Sequence, residues 1–153
     1  MYNKSSSHAV FKLHLHIVFV MKYRKKALNE ALLNYLHSAF AEILAGWDCE
    51  LLEFGGEADH IHMLISITPT VAISNLIMNL KSASAKRCRN RFAEHLAQFY
   101  WKPLFWSRAY YVSTVGGASL EVVKAYVEKQ GTEEHALKAK AKDQAKEKAK
   151  SSA

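Results

Sequence analysis

The chain has 153 residues, half of them hydrophobic, with a formal net charge of +7 and a pI of about 9.4. That length suits one domain with a real core, while no run approaches the roughly 18 to 20 apolar residues of a membrane span and the start lacks the basic, apolar and cleavage-site succession of a secretory signal, so a cytoplasmic protein is expected. Cys49 and Cys88 lack CxxC spacing, which argues against a disulfide framework or a thiolate zinc site, and the basic excess favours a polyanionic partner.

From Phe11 to Val20 apolar and polar residues alternate, with Phe11, Leu13, Leu15, Ile17 and Phe19 on one face and Lys12, His14, His16 and Val18 on the other, the pattern of a half-buried strand. After Lys22-Tyr23-Arg24-Lys25-Lys26, the helical spacing of Leu32, Leu36, Phe40, Ile43, Leu44 and Trp47 predicts a helix from about Asn29 to Gly46. Cys49 to Phe54 reads as a second strand, and Gly55-Gly56-Glu57 as the turn of a hairpin leading into a third strand, Asp59 to Ile65. Thr68-Pro69 predicts the cap and first position of a helix that begins apolar and turns basic at Lys81, Lys86, Arg87, Arg89 and Arg91. Phe105 to Val115 reads as a fourth strand, Gly116-Gly117 as a break, and Ser119 as the cap of a helix ending at Gln130-Gly131.

The order β-α-β-β-α-β-α predicts an α+β sandwich, ferredoxin-like or RRM-like, with an antiparallel sheet. Residues 1–131 would form the domain, and 132–153, rich in lysine and alanine, a frayed helix or disordered tail.

Chemistry concentrates in Asp59-His60-Ile61-His62. On a strand, His60 and His62 point to the same side and can hold a metal ion, with Asp59 as an acceptor that orients an imidazole. The same spacing at His14-Leu15-His16 lies beside Lys12, whose charge opposes a bound cation, so His16 is kept as a site neighbour. Tyr126 and Gln130 share a helix face. A phenol and an amide facing two imidazoles suit metal-assisted attack on a phosphodiester, although a core tyrosine would also fit beside Val122, Val123 and Val127.

Lys22, Arg24, Lys25 and Lys26 around Tyr23, together with Lys86, Arg87 and Arg89, are candidate DNA contacts; solvated surfaces would look the same. Trp101, Phe105, Trp106, Tyr110 and Tyr111 read as core rather than as base-stacking platforms.

Taken in order, four segments resemble the single-tyrosine HUH transposases of the smallest bacterial insertion sequences, over nearly all of residues 8–131. They are His16-Ile17-Val18-Phe19-Val20-Met21-Lys22-Tyr23-Arg24, Asp59-His60-Ile61-His62, the run from Phe105 to Gly117, and Tyr126-Val127-Glu128-Lys129-Gln130. The resemblance implies His60, His62 and Gln130 as metal ligands and Tyr126 as the nucleophile. It implies cleavage and rejoining of single-stranded DNA at element ends through a 5′-phosphotyrosine, hairpin recognition, a Mg2+ or Mn2+ requirement, and a homodimer in which the tyrosine of one subunit meets the histidines of the other. Imidazole ligands suit Mn2+ better than Mg2+. The alternative is a ferredoxin-like nucleic-acid-binding protein without chemistry.

Overall fold

The computed structural model describes residues 4–6, 9–11, 13–114 and 127–129. Two short strands, β1 (Lys4–Ser6) and β2 (Ala9–Phe11), pair with each other and precede the main sheet. Next come β3 (Leu13–Met21), a 3-10 turn (Lys22–Arg24), α1 (Glu30–Gly46), β4 (Glu50–Gly56), β5 (His60–Ile67), α2 (Ile73–Arg91), α3 (Ala93–Ala97) and β6 (Trp106–Thr114). The sheet order is β4-β5-β3-β6 with every neighbouring pair antiparallel. This is the expected ferredoxin-like arrangement, with α1 and α2 as the crossovers.

The alternation of β3 divides the molecule into two apolar regions. Leu15, Ile17 and Phe19 join Ile61, Met63 and Ile65 of β5 beneath Leu32, Leu36 and Phe40 of α1 and Leu76, Ile77 and Leu80 of α2. Phe19 lies 6.0 Å from Phe40 and 5.5 Å from Trp106, ring centre to ring centre. Losing such a fully buried phenylalanine costs about 3–5 kcal/mol. The opposite face carries a smaller cluster of Val18, Val20 and Val127, with Tyr111 against it.

Local chemistry fixes the ends of α1. Asn29 Oδ1 accepts from the Leu32 amide at 2.8 Å, satisfying one of the orphan donors of the first turn. At the other end, Trp47 Nε1 donates to Asn79 Oδ1 at 2.8 Å and ties α1 to α2.

Three expectations are corrected here. Gly55 and Gly56 belong to β4 rather than to a turn, pairing with His62 and Ile61. The helix predicted from Thr68-Pro69 begins at Ile73 after Ala72, which makes no side-chain cap; Val71 N donates to Thr68 O at 3.2 Å and closes a separate turn. Trp101 and Tyr110 are not core but 86% and 39% exposed, whereas Phe105 and Trp106 are buried as expected. The predicted break at Gly116-Gly117, the Ser119 cap and the tail lie outside the described residues.

Candidate active site

The register of β3 against β5 sets Val20 opposite His60, Val18 opposite His62, His16 opposite Leu64 and His14 opposite Ser66. Opposed residues of an antiparallel pair share a face. The four histidines therefore all lie on the side of the sheet away from α1 and α2, while Ile61 and Met63 between them fill the core.

His60 is half-buried, and its Nδ1 lies 2.8 Å from Asp59 Oδ1. An ionised Asp59 accepts from this nitrogen, which keeps the proton on Nδ1 and leaves the Nε2 lone pair for a ligand. The second Asp59 oxygen, Oδ2, accepts from Arg24 Nε at 2.8 Å. Burial alone would push the Asp59 carboxyl up, but the hydrogen bonds and charges of Arg24 and His60 outweigh it and hold the group below its ordinary value. Asp59 is thus charged at neutral pH.

Arg24 reaches Asp59 because the turn before it is tightly folded. Tyr23 and Arg24 adopt left-handed backbone conformations, with φ of 58° and 52°, each a costly state for a non-glycine residue. Neighbouring backbone holds them there: Met21 N donates to Asp59 O at 2.8 Å, Lys22 N to Phe105 O at 2.7 Å and Leu28 N to Ala58 O at 2.9 Å. Tyr100 Oη also donates to Lys22 O at 2.7 Å.

His62 is exposed and its ring lies over Gly55, its partner on β4. A Cβ at position 55 would stand 2.7 Å from His62 Nε2 and 2.8 Å from Cε1. Partial desolvation of the ring, reinforced by electrostatic interaction with the neighbouring imidazoles of His60 and His16, lowers the affinity of His62 for a proton below the ordinary value. The neutral imidazole so favoured is the form that binds metals.

Sequence reasoning missed two residues here. Glu57 N donates to His60 O at 2.9 Å, and Glu57, Asp59 and His60 bring ligand atoms within 4.8 Å of one another. Both Asp59 oxygens are engaged, which leaves Glu57 as the candidate carboxylate of this group, and His62 is not part of it; the Glu-x-x-His spacing across the turn was its signal. Gly55 was read as turn chemistry, although its place opposite His62 in a hairpin could have been counted.

The proposed DNA contacts fall into different settings. Lys22 Nζ sits 5.3 Å from the Tyr23 ring centre, Lys25 is half-buried and Lys26 exposed. Arg24 is engaged with Asp59, and Arg87 Nη1 lies 3.2 Å from Glu42 Oε2. Lys86 is exposed on α2, and Arg89 lines a groove beside α3. Tyr126 and Gln130 lie outside the described residues. The residue after Tyr126, Val127, is buried against Val18 and Val20 on the histidine face.

A family described as "Transposase IS200 like" matches residues 9–130. The chain belongs to this family. It is 34% identical over 113 residues to the transposase for insertion sequence element IS200 of Salmonella typhimurium, covering 74% of each chain. It is 29% identical to the ISDra2 transposase TnpA of Deinococcus radiodurans, covering 82% of this chain and 89% of that one. Among solved structures, a candidate transposase from Deinococcus radiodurans R1 superposes with a TM-score of 0.76 at 30% identity, covering 83% of this chain and 97% of the other. A REP-associated tyrosine transposase bound to a REP hairpin shares the fold at a TM-score of 0.51 and 10% identity, covering 81% and 68%. The family assignment makes the protein a transposase that acts on DNA. No helix among the described residues is long and apolar enough to cross a membrane.

Proposed function

We propose that this transposase cleaves and rejoins single-stranded DNA at insertion-sequence ends, with Tyr126 as nucleophile and a divalent cation held by His60 and His62. The observation that carries the reading is the burial of Val127 against Val18 and Val20, the residues opposite His62 and His60. Val127 directly follows Tyr126 in the sequence, and this contact on the histidine face supports the reading.

The donor set fits a divalent cation. His60 has its Nδ1 fixed by Asp59, His62 favours its neutral form, and Glu57 offers a carboxylate beside His60. Oxygen and imidazole together suit Mn2+, and Mg2+ when oxygen ligands dominate. Gln130 would add an amide oxygen. The cation would polarise a phosphate oxygen and stabilise the charge that develops as the phosphodiester is attacked.

The covalent step balances simply. Tyr126 Oη gives up its proton and forms a bond to phosphorus, the bond to the upstream 3′-oxygen breaks, and that oxygen takes up a proton to leave as a 3′-OH, so that no net proton is gained or lost. A 5′-phosphotyrosine keeps the phosphodiester energy, so rejoining to another 3′-OH needs no nucleotide. The sequence has no GxxxxGK[ST] phosphate loop, in keeping with this economy. Hairpins at the element ends are the proposed partners, as family membership and the hairpin-bound relative of the same fold support. Residues 1–131 would hold the machinery, in a homodimer whose valine seat accepts the tyrosine-bearing segment of either copy.

The test is to incubate the protein and Mn2+ with single-stranded DNA spanning an element end and to look for a covalent adduct. Wild type should form it and Tyr126→Phe should not. An adduct with Tyr126→Phe would refute the nucleophile.

A further inference from the structure

Trp101 stands out on the opposite, helical side of the molecule. A tryptophan left 86% exposed keeps a large apolar surface in water, and this one is not on a loose loop. Tyr100 before it and Phe105 after it are buried, Leu104 N donates to Lys102 O at 2.7 Å, and both Tyr100 Oη and Phe105 O hydrogen-bond to the backbone of Lys22. The segment is fastened at both ends, with its indole turned outward.

Beside it are two adjoining cavities of about 310 and 340 Å3 that share Arg89, Pro103 and Leu104. Trp101 and Lys102 border the first and Lys81 the second, and neither lining includes an acidic residue. Lys102 Nζ lies 4.9 Å from the Trp101 ring centre, and Arg89 makes no ion pair among the described residues. An exposed aromatic face flanked by cations matches one chemical partner well: an unpaired nucleotide, whose base stacks and whose phosphate is neutralised.

The groove also leads somewhere. Its Trp101 segment is bonded to Lys22, and Lys22 begins the basic turn whose Arg24 grips Asp59 beside His60. We propose that the groove between the C-terminal half of α2 and residues 101–104 holds the single-stranded DNA flanking an element-end hairpin, one base stacked on Trp101 and phosphates on Arg89 and Lys102. The inference rests on the DNA-processing reading above and gives the unpaired strand a path along the basic turn toward the histidines.

The test compares two fluorescent oligonucleotides taken from the DNA flanking the gene, an imperfect-palindrome hairpin alone and the same hairpin with its unpaired flank, by anisotropy. Trp101→Ala should weaken binding of the extended probe by roughly five- to a hundredfold, the range for losing one base stack, and leave the hairpin-only probe unchanged. Trp101→Phe, which retains a ring, should stay within a few fold of wild type. Arg89→Gln with Lys102→Gln should lower the salt slope for the extended probe by about 1.4, since each single-strand phosphate contact contributes about 0.7. Undiminished binding of the extended probe by Trp101→Ala overturns the proposal, and so does an equal loss on both probes, which would put the hairpin itself in the groove. Failure of wild type to bind either probe would strike the DNA-processing reading instead.

Discussion

Gly55→Ala separates the metal site from the fold. The new methyl group would stand 2.7 Å from His62 Nε2, where ordinary contact begins at 3.4 Å, so the ring must withdraw by about 0.7 Å. Metal–ligand distances tolerate only about 0.2 Å. The obstructed atoms are the far end of a side chain, and no left-handed backbone is recorded at position 55, so the chain itself can accept alanine. Stability should therefore hold, or rise by about 0.4–1 kcal/mol as the unfolded chain loses freedom. Mn2+ affinity should fall about 10- to 100-fold, the penalty typical of a disturbed ligand environment. Gly56→Ala is the contrasting variant: its Cβ would meet His60 O at 2.7 Å and Leu33 Cδ2 at 2.9 Å, an overpacking against backbone and core that costs about 1–3 kcal/mol. Calorimetric Mn2+ titration with thermal melting reads both quantities. A Gly55→Ala protein that binds Mn2+ as tightly as wild type would refute the reasoning.

Further outcomes follow from the same geometry. His60→Ala with His62→Ala should abolish metal-dependent cleavage while the protein stays folded; calorimetric metal affinity equal to wild type would count against the site. Asp59→Asn should cost about 1.5–3 kcal/mol near neutral pH by weakening hydrogen bonds to a charged group. Because the folded protein lowers the Asp59 pKa, the stabilisation is complete above the ordinary carboxyl value of 3.8 and is lost as pH falls through the folded value. Urea unfolding of wild type and variant should therefore converge in acid, and a gap that widened there would contradict the assignment. Burial pushes the Cys88 thiol up to about 12 and Cys49 is also buried, so a thiol reagent at pH 8 should label neither in the native protein and both in denaturant. Co-expressing Tyr126→Phe with His60→Ala/His62→Ala chains should restore one cleavage site per heterodimer if the tyrosine serves the partner's histidines; an isolated heterodimer that binds DNA and metal yet does not cut would assign the site to a single chain.

The legible parts of this molecule were those governed by short periods. Alternation placed Ile17 and Phe19 in the core and His60 beside His62 on the other face, and the spacing from Leu32 to Leu44 located α1. Errors arose where a local signal competed with tertiary packing. A glycine pair usually marks a turn, but here Gly55 clears space for a ring on the next strand. Thr68-Pro69 carries the chemistry of a helix start, yet α2 begins where Leu76, Ile77 and Leu80 can reach the sheet. The basic cluster could not reveal which cation answers a buried carboxylate, because Arg24 and Asp59 lie 35 positions apart. Trp106 is carried inward by β6, where its indole donates to Ser84 Oγ at 2.9 Å, a partner far from it in sequence, whereas Trp101 lies in the irregular segment before that strand.

One carboxylate joins two tasks. Asp59 holds Arg24 of the basic turn with one oxygen and His60 with the other, so neither attachment can change alone. A DNA phosphate that drew the guanidinium away would leave more of the carboxylate's charge to His60 and make the imidazole a stronger donor. Linkage runs both ways: whatever factor DNA lends to cation affinity, the cation must return to DNA affinity. If DNA and a cation bind as proposed, the turn, held in its costly backbone shape by these few bonds, would carry the influence of one to the other.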